Sequence, residues 1–118
     1  MGIQQAITTC FSKYVDFQGR AVRPEYWWWV LFVVLIVVVL QILAGIVGTL
    51  FSVLVGLFYL ATLLPGLAVS VRRLHDTDRS GWWLLLAFIP IVGGLVLLYF
   101  MVQPGTQGPN RFGTSLAV

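Results

Sequence analysis

Residues 26–71 form an unbroken run of 46 positions without a charged side chain, bounded by Arg23 and Glu25 before it and by Arg72 and Arg73 after it. At about 1.5 Å per residue, one straight helix of that length would be roughly twice as long as the ~30 Å hydrocarbon layer of a bilayer is thick. The run must therefore fold back on itself, and Gly45-Ile46-Val47-Gly48 is where the helix breakers fall. The pattern predicts a chain that enters a membrane, turns, and returns to the side it came from. Its first span is 27–44, which opens with three tryptophans suited to the headgroup level and holds Gln41 as its one strongly polar residue. Its second span is 50–71.

Around the second span Gly48, Ser52, Gly56, Thr62, Gly66 and Ser70 fall within about 120° of one helical face. A stripe of small residues lets two helix backbones approach closely, so Gly48, Ser52, Gly56, Gly66 and Ser70 form a candidate homo-oligomer face. Pro65 removes a backbone donor within this helix and is expected to bend it. A third apolar stretch, 82–102, begins at Trp82-Trp83 and is interrupted by Pro90 and Gly93-Gly94. Three full crossings are the expected arrangement. In the alternative the stretch breaks at 90–94, each arm of about ten residues reaches only ~15 Å, and the tail returns to the side where the chain began. Such a re-entrant segment needs protein cover.

Ahead of the spans, Ile3, Ile7, Cys10, Phe11 and Tyr14 recur at three- and four-residue steps, which predicts an amphipathic helix over 3–15 lying in the membrane interface. Arg23-Pro24-Glu25 then reads as a helix start, with proline in the first turn and an acid beside it. The tail, 103–118, holds Pro104, Gly105, Gly108, Pro109 and Gly113 and is expected to be irregular. The expected fold is all-α and integral to a membrane: three transmembrane helices preceded by a short interfacial helix, in one domain over 1–118.

Composition strengthens the membrane reading. Hydrophobic residues make up 59% of the chain and charged residues 9%, against about 25% charged in an average soluble domain. Eleven charged side chains are too few to cover a water-soluble fold of 118 residues. The net charge of +3 arises from Lys13, Arg20, Arg23, Arg72, Arg73, Arg79 and Arg111 against Asp16, Glu25, Asp76 and Asp78. Three basic residues precede the first span, three lie in the 72–81 loop, none lies in the 45–49 turn and one lies in the tail. The positive-inside rule then puts the N-terminus and the 72–81 loop in the cytoplasm, and three crossings put the tail outside. Basic residues in this setting point to a phospholipid bilayer as partner, with anionic lipids favoured, and not to nucleic acid. Cys10 is the only cysteine, which excludes an internal disulfide.

The densest chemistry is Arg72-Arg73-Leu74-His75-Asp76-Thr77-Asp78-Arg79-Ser80-Gly81-Trp82-Trp83. A structural role explains much of it: cations at the end of one helix, carboxylates and a Ser80 or Asp78 cap at the start of the next, and tryptophans at the interface. A recognition role gathers Arg20, Arg23, Arg72, Arg73 and Arg79 on one face, where guanidinium forks suit lipid phosphates. His75 beside Asp76 resembles half of an acid–base pair, but no second histidine accompanies it. A metal, a cofactor or a catalytic residue is therefore not expected, and His75 is expected to bond a loop carboxylate. No span holds a charged residue, which disfavours transport by a monomer. The expectation is a non-catalytic scaffold or adaptor with a headgroup- or partner-binding belt of Arg20, Arg23, Arg72, Arg73, His75, Asp76, Arg79 and Trp82. The alternative is a subunit of a small oligomeric channel or transporter.

Three blocks carry a resemblance to a known family: residues 17–27, Phe-Gln-Gly-Arg-Ala-Val-Arg-Pro-Glu-Tyr-Trp; the Arg72-to-Trp83 block; and Asn110-Arg111-Phe112-Gly113. Over about residues 11–113 the chain resembles the bacterial membrane family known as domain of unknown function 805. It departs from that family's pattern at Asp78, often Gly, and at Pro24, usually Arg or Lys. The resemblance implies a small multi-pass protein of a bacterial inner membrane and supplies no substrate, reaction or cofactor. It further implies that Arg20, Arg23, Arg72, Arg73, His75, Asp76, Arg79 and residues 110–113 make up the motif surface, which favours a tail on the same side as the other two blocks.

Overall fold

A computed structural model describes residues 2–113. Four α-helices and one 3-10 helix follow in order: α1 (Ile3–Ser12), α2 (Arg23–Val47), α3 (Thr49–Asp76), a 3-10 helix (Gly81–Phe88) and α4 (Val92–Val102). There is no strand among the described residues, only an isolated bridge between Asn110 and Gly113. Helices α2 and α3 are long and apolar enough to cross a membrane.

The hairpin closes on one residue. Helix α2 runs to Val47 and α3 begins at Thr49, so Gly48 ends one helix and starts the next with φ 108°. A side chain would be strained at that φ, and glycine is not. Antiparallel packing then brings Phe32 to Phe58, Trp29 to Gly66 and Glu25 to Arg72. Helix α3 continues through Pro65, which is buried.

Helix α1 ends at Ser12, three residues short of its expected limit. It buries Ala6 and Cys10, and its Phe11 ring meets Trp29 and Phe32 edge-on at 5.2 and 6.2 Å. It thus lies along the first turns of α2.

The single helix expected over 82–102 is two short ones. The 3-10 helix has eight residues, about 16 Å at ~2 Å each, and α4 has eleven, about 16 Å at ~1.5 Å each. Neither is long enough to cross. Between them Val92 N–H bonds back to the Pro90 carbonyl at 2.7 Å around Ile91, whose φ is 66° and ψ −65°. That is a γ-turn of the rare positive-φ kind, costly for a β-branched residue. Gly93 makes the reversal possible, because a Cβ there would collide with the Leu86 carbonyl. Helix α4 consequently runs back to the end of the hairpin where the 3-10 helix began. The tail follows it there instead of emerging at the turn end, so the break at 90–94 is the arrangement the chain adopts. Residues 114–118 of the expected irregular tail lie outside the described residues.

Candidate functional site

At the open end of the hairpin, the foot, the three sequence blocks meet. Ala21 N–H bonds the Arg72 carbonyl at 2.9 Å, tying the N-terminal segment to the end of α3. Thr106 N–H bonds the Asp76 carbonyl at 2.7 Å, which adds the tail. Gly105 lies flat against Asp76, where a Cβ would strike the carboxylate.

Two ionic groups occupy the interior of this foot. In the first, Arg72 Nη1 donates to Glu25 Oε2 at 2.5 Å, with both side chains at least 97% buried. The Cys10 thiol stands 3.9 Å from the same oxygen. Burial, then the Glu25 charge, push that thiol up to about 12, so it is an inert, protonated core group. Arg72 Nε and Nη2 have no acceptor among the described residues.

In the second group Asp76 takes Arg20 Nε at 2.9 Å and Arg73 Nη1 at 2.6 Å. The two guanidinium groups spend their other donors on backbone. Arg20 bonds the carbonyls of Gly108 at 2.7 Å and Thr106 at 2.5 Å, and Arg73 bonds those of Met101, Ala21 and Gln103. Trp27 Nε1 also donates to Met101 O at 3.2 Å, and Arg23 Nη1 to Val102 O at 3.3 Å. The last carbonyls of α4 have no partner within their own helix and carry its negative dipole end. Arginine and tryptophan donors from α2 and α3 satisfy them.

His75 does not bond a loop carboxylate. Its Nδ1 sits 2.8 Å from the Gly19 carbonyl, which can only accept, so the proton is on Nδ1. The ring stacks on Phe112 with centroids 3.9 Å apart and planes 1° apart. Asn110 Nδ2 bonds the His75 carbonyl at 2.9 Å. Burial lowers the pKa of His75, the Gly19 bond opposes that, and the Arg111 charge adds to the lowering. The expected caps also differ: Ser80 precedes the 3-10 helix without a side-chain cap bond, and Asp78 pairs with Arg111 at 3.2 Å. Asp78 has φ 60°, a conformation glycine adopts without cost.

The expected belt therefore divides. Arg20, Arg72, Arg73, His75 and Asp76 are buried. Arg23 is exposed, Arg79 is half-buried with its guanidinium 4.1 Å over the Phe100 ring, and Trp82 is 78% exposed. Sequence reasoning missed Glu25, taken only as a helix-start acid, and Gly105. The small-residue stripe also divides: Thr62 is buried and Gly66 faces Trp29, whereas a Cβ at Gly48 or Gly56 would meet nothing within 4 Å.

Residues 14–114 match the family described as protein of unknown function (DUF805). The chain is 49% identical over 100 residues to the inner membrane protein YhaI of Escherichia coli K12, covering 85% of each chain. It is 44% identical over 111 residues to the inner membrane protein YhaH of the same strain, covering 85% of this chain and 86% of that one. The uncharacterized protein YiiR of that strain is 31% identical over 123 residues, covering 82% and 83%. No solved structure matches the chain. All three sequence blocks that build the foot fall within the matched residues, and the chain belongs to the DUF805 family of proteins of unknown function.

Proposed function

We propose that this protein is a non-catalytic scaffold or adaptor of a bacterial inner membrane whose foot sits among anionic phospholipid headgroups. Helices α2 and α3 cross the bilayer as a hairpin, and the 3-10 helix and α4 dip into it and return. The foot faces the cytoplasm. The N-terminal segment through Arg23, the end of α3 with the loop after it, and the tail hold all seven basic residues of the chain, and the fold gathers these segments at one end, as the positive-inside rule requires of a cytoplasmic face. A periplasmic reagent that labels a cysteine introduced at Gln107 would end this topology.

The observation that carries the reading is the division of the arginines. Arg20, Arg72 and Arg73 are consumed in holding the foot together, while Arg23 and Arg79 stand at its rim beside exposed Trp28 and Trp82. Cations next to tryptophans at the end of apolar helices suit the phosphate level of a membrane. The protein should accordingly retain phosphatidylglycerol over phosphatidylethanolamine when extracted from vesicles of the two lipids. An Arg23→Gln/Arg79→Gln double variant, folded by circular dichroism, should retain them in the bulk ratio. Equal enrichment in variant and parent would remove the reading.

A further inference from the structure

On the lipid-facing side of the hairpin, α2 and α3 leave an open groove of about 310 Å³ between them, lined among others by Tyr26, Trp29, Val33, Leu63, Gly66 and Ser70. Its size is at the lower end of the ~300–1,000 Å³ range of small-ligand sites. The groove has a direction. Tyr26 and Ser70 line its foot end, and the wall from there towards the turn is mostly valine and leucine. The hydroxyls of Thr62, deeper in, and of Ser70 are occupied within their own helix: Thr62 bonds the Phe58 carbonyl at 2.9 Å and Ser70 the Gly66 carbonyl at 2.8 Å. Gly66 keeps the floor low, because a side chain there would fill the space beneath Trp29, whose Nε1 lies 3.6 Å from where its Cβ would be.

The charged end is on the same line. Arg23 precedes Tyr26 by three residues and so lies on the same face of α2, one turn nearer the interface. It is exposed, and its one hydrogen bond among the described residues is the 3.3 Å contact with Val102 O. A cation one helical turn beyond the groove's foot end and an uncharged slot running towards the membrane interior match one kind of molecule: an acidic headgroup on a fatty chain. A second copy of the chain does not match, because residues 26–71 offer no carboxylate to answer Arg23.

We infer that this groove is a specific site for one anionic glycerophospholipid, its phosphate on Arg23 and one acyl chain lying between α2 and α3 against Trp29, Leu63 and Gly66. The inference rests on the membrane placement and headgroup reading above and adds to it a single, saturable position.

The test is native mass spectrometry of the detergent-solubilised protein, titrated with phosphatidylglycerol and, separately, with phosphatidylcholine. One phosphatidylglycerol should bind more tightly than all later ones, and phosphatidylcholine should show no such first step. Gly66→Leu fills the groove floor, and Leu63→Trp narrows its half-exposed edge without entering the helix contact, so the second keeps the test valid where the first misfolds. Each should weaken the first phosphatidylglycerol about tenfold and leave the weaker, rim-dependent preference intact. Arg23→Gln should weaken the first lipid by about the same factor, through loss of a charge-assisted phosphate bond. If a folded Leu63→Trp variant keeps the tight lipid while Arg23→Gln/Arg79→Gln loses its anionic preference, the groove is refuted and the headgroup reading stands. If the unmodified protein shows no preference between the two lipids, both are refuted.

Discussion

The two ends of the α2–α3 hairpin are built in opposite ways. At the turn, large apolar side chains face outward: Ile46 is 76% exposed, Leu50 68% and Val47 61%, around a single glycine. At the foot, charge is inside: Arg72 and Arg73 are fully buried, and Arg20, Glu25 and Asp76 nearly so. In water this distribution would be untenable, since burying ions is costly and exposing leucines gains nothing. In a bilayer it is coherent. Lipid tails are as apolar as leucine, so apolar burial does little to bring membrane helices together, and packing and polar pairing carry the association. The turn end needs only length and apolar surface, while the foot specifies which segments meet.

The largest expected effect comes from breaking that specification at its centre. Asp76 pairs with two buried guanidinium groups at once. Asp76→Asn would offer one of them an amide oxygen and the other an amide donor, and stranding a buried charge in this way typically costs about 3–5 kcal/mol. The variant should unfold at a much lower dodecyl sulfate fraction in mixed micelles, or fail to accumulate. Ile46→Ala at the turn should stay within about 0.5 kcal/mol of the parent. Comparable midpoints for the two would mean that the foot is not held by charge pairing.

A smaller break acts on the tail alone. A Cβ at position 105 would displace the Asp76 carboxylate or lift the chain off it. Gly105→Ala should cost about 1–3 kcal/mol, the usual penalty for overpacking. The Thr106 amide, bonded to the Asp76 carbonyl, reports on it directly. Its hydrogen exchange should accelerate in the variant, while amides in the middle of α2 should not change.

The contrast between the two ends also decides what was legible in the sequence. The hairpin was legible, because a charge-free run too long for one crossing needs no partner to be interpreted, and the turn fell at Gly48 within the expected 45–49. The Arg-Leu-His-Asp block was legible as the focus of the foot. What it did there was not. The partners of Arg20 and Arg73 are largely main-chain carbonyls of residues 101–108, and a carbonyl leaves no mark on composition. Glu25 pairs with Arg72 across 47 positions, and proline followed by an acid reads as a helix start whatever the acid later does. Pro90 and Gly93-Gly94 were visible as interruptions. An apolar stretch of 21 residues nevertheless has the length and composition of one crossing, and only the reversal at Ile91 separates the two outcomes. Asp78 is the converse case: its positive φ gives a physical reason for the glycine that the family resemblance places there.

The mildest perturbation leaves every covalent bond in place and changes only the proton on His75. Its ordinary pKa of 6.5 is lowered in the folded chain, where burial outweighs the Gly19 bond and the nearby Arg111 adds to the effect. As pH falls below about 6.5 the released, solvated histidine takes up a proton before the folded one does, so the unfolded state binds more protons and stability falls. Above that pH the contribution is intact. The groups facing the ring are the Gly19 carbonyl, the Phe112 ring and Arg111, all from the N-terminal segment or the tail, so the loss should appear there first. Thr106 amide exchange, corrected for its intrinsic pH dependence, should speed up between about pH 7.5 and 5.5 in the parent and much less in His75→Gln. An unchanged pH response in that variant would assign the effect to another group. The turn end holds no titratable side chain between residues 27 and 58, and its amides should show no such response in either protein.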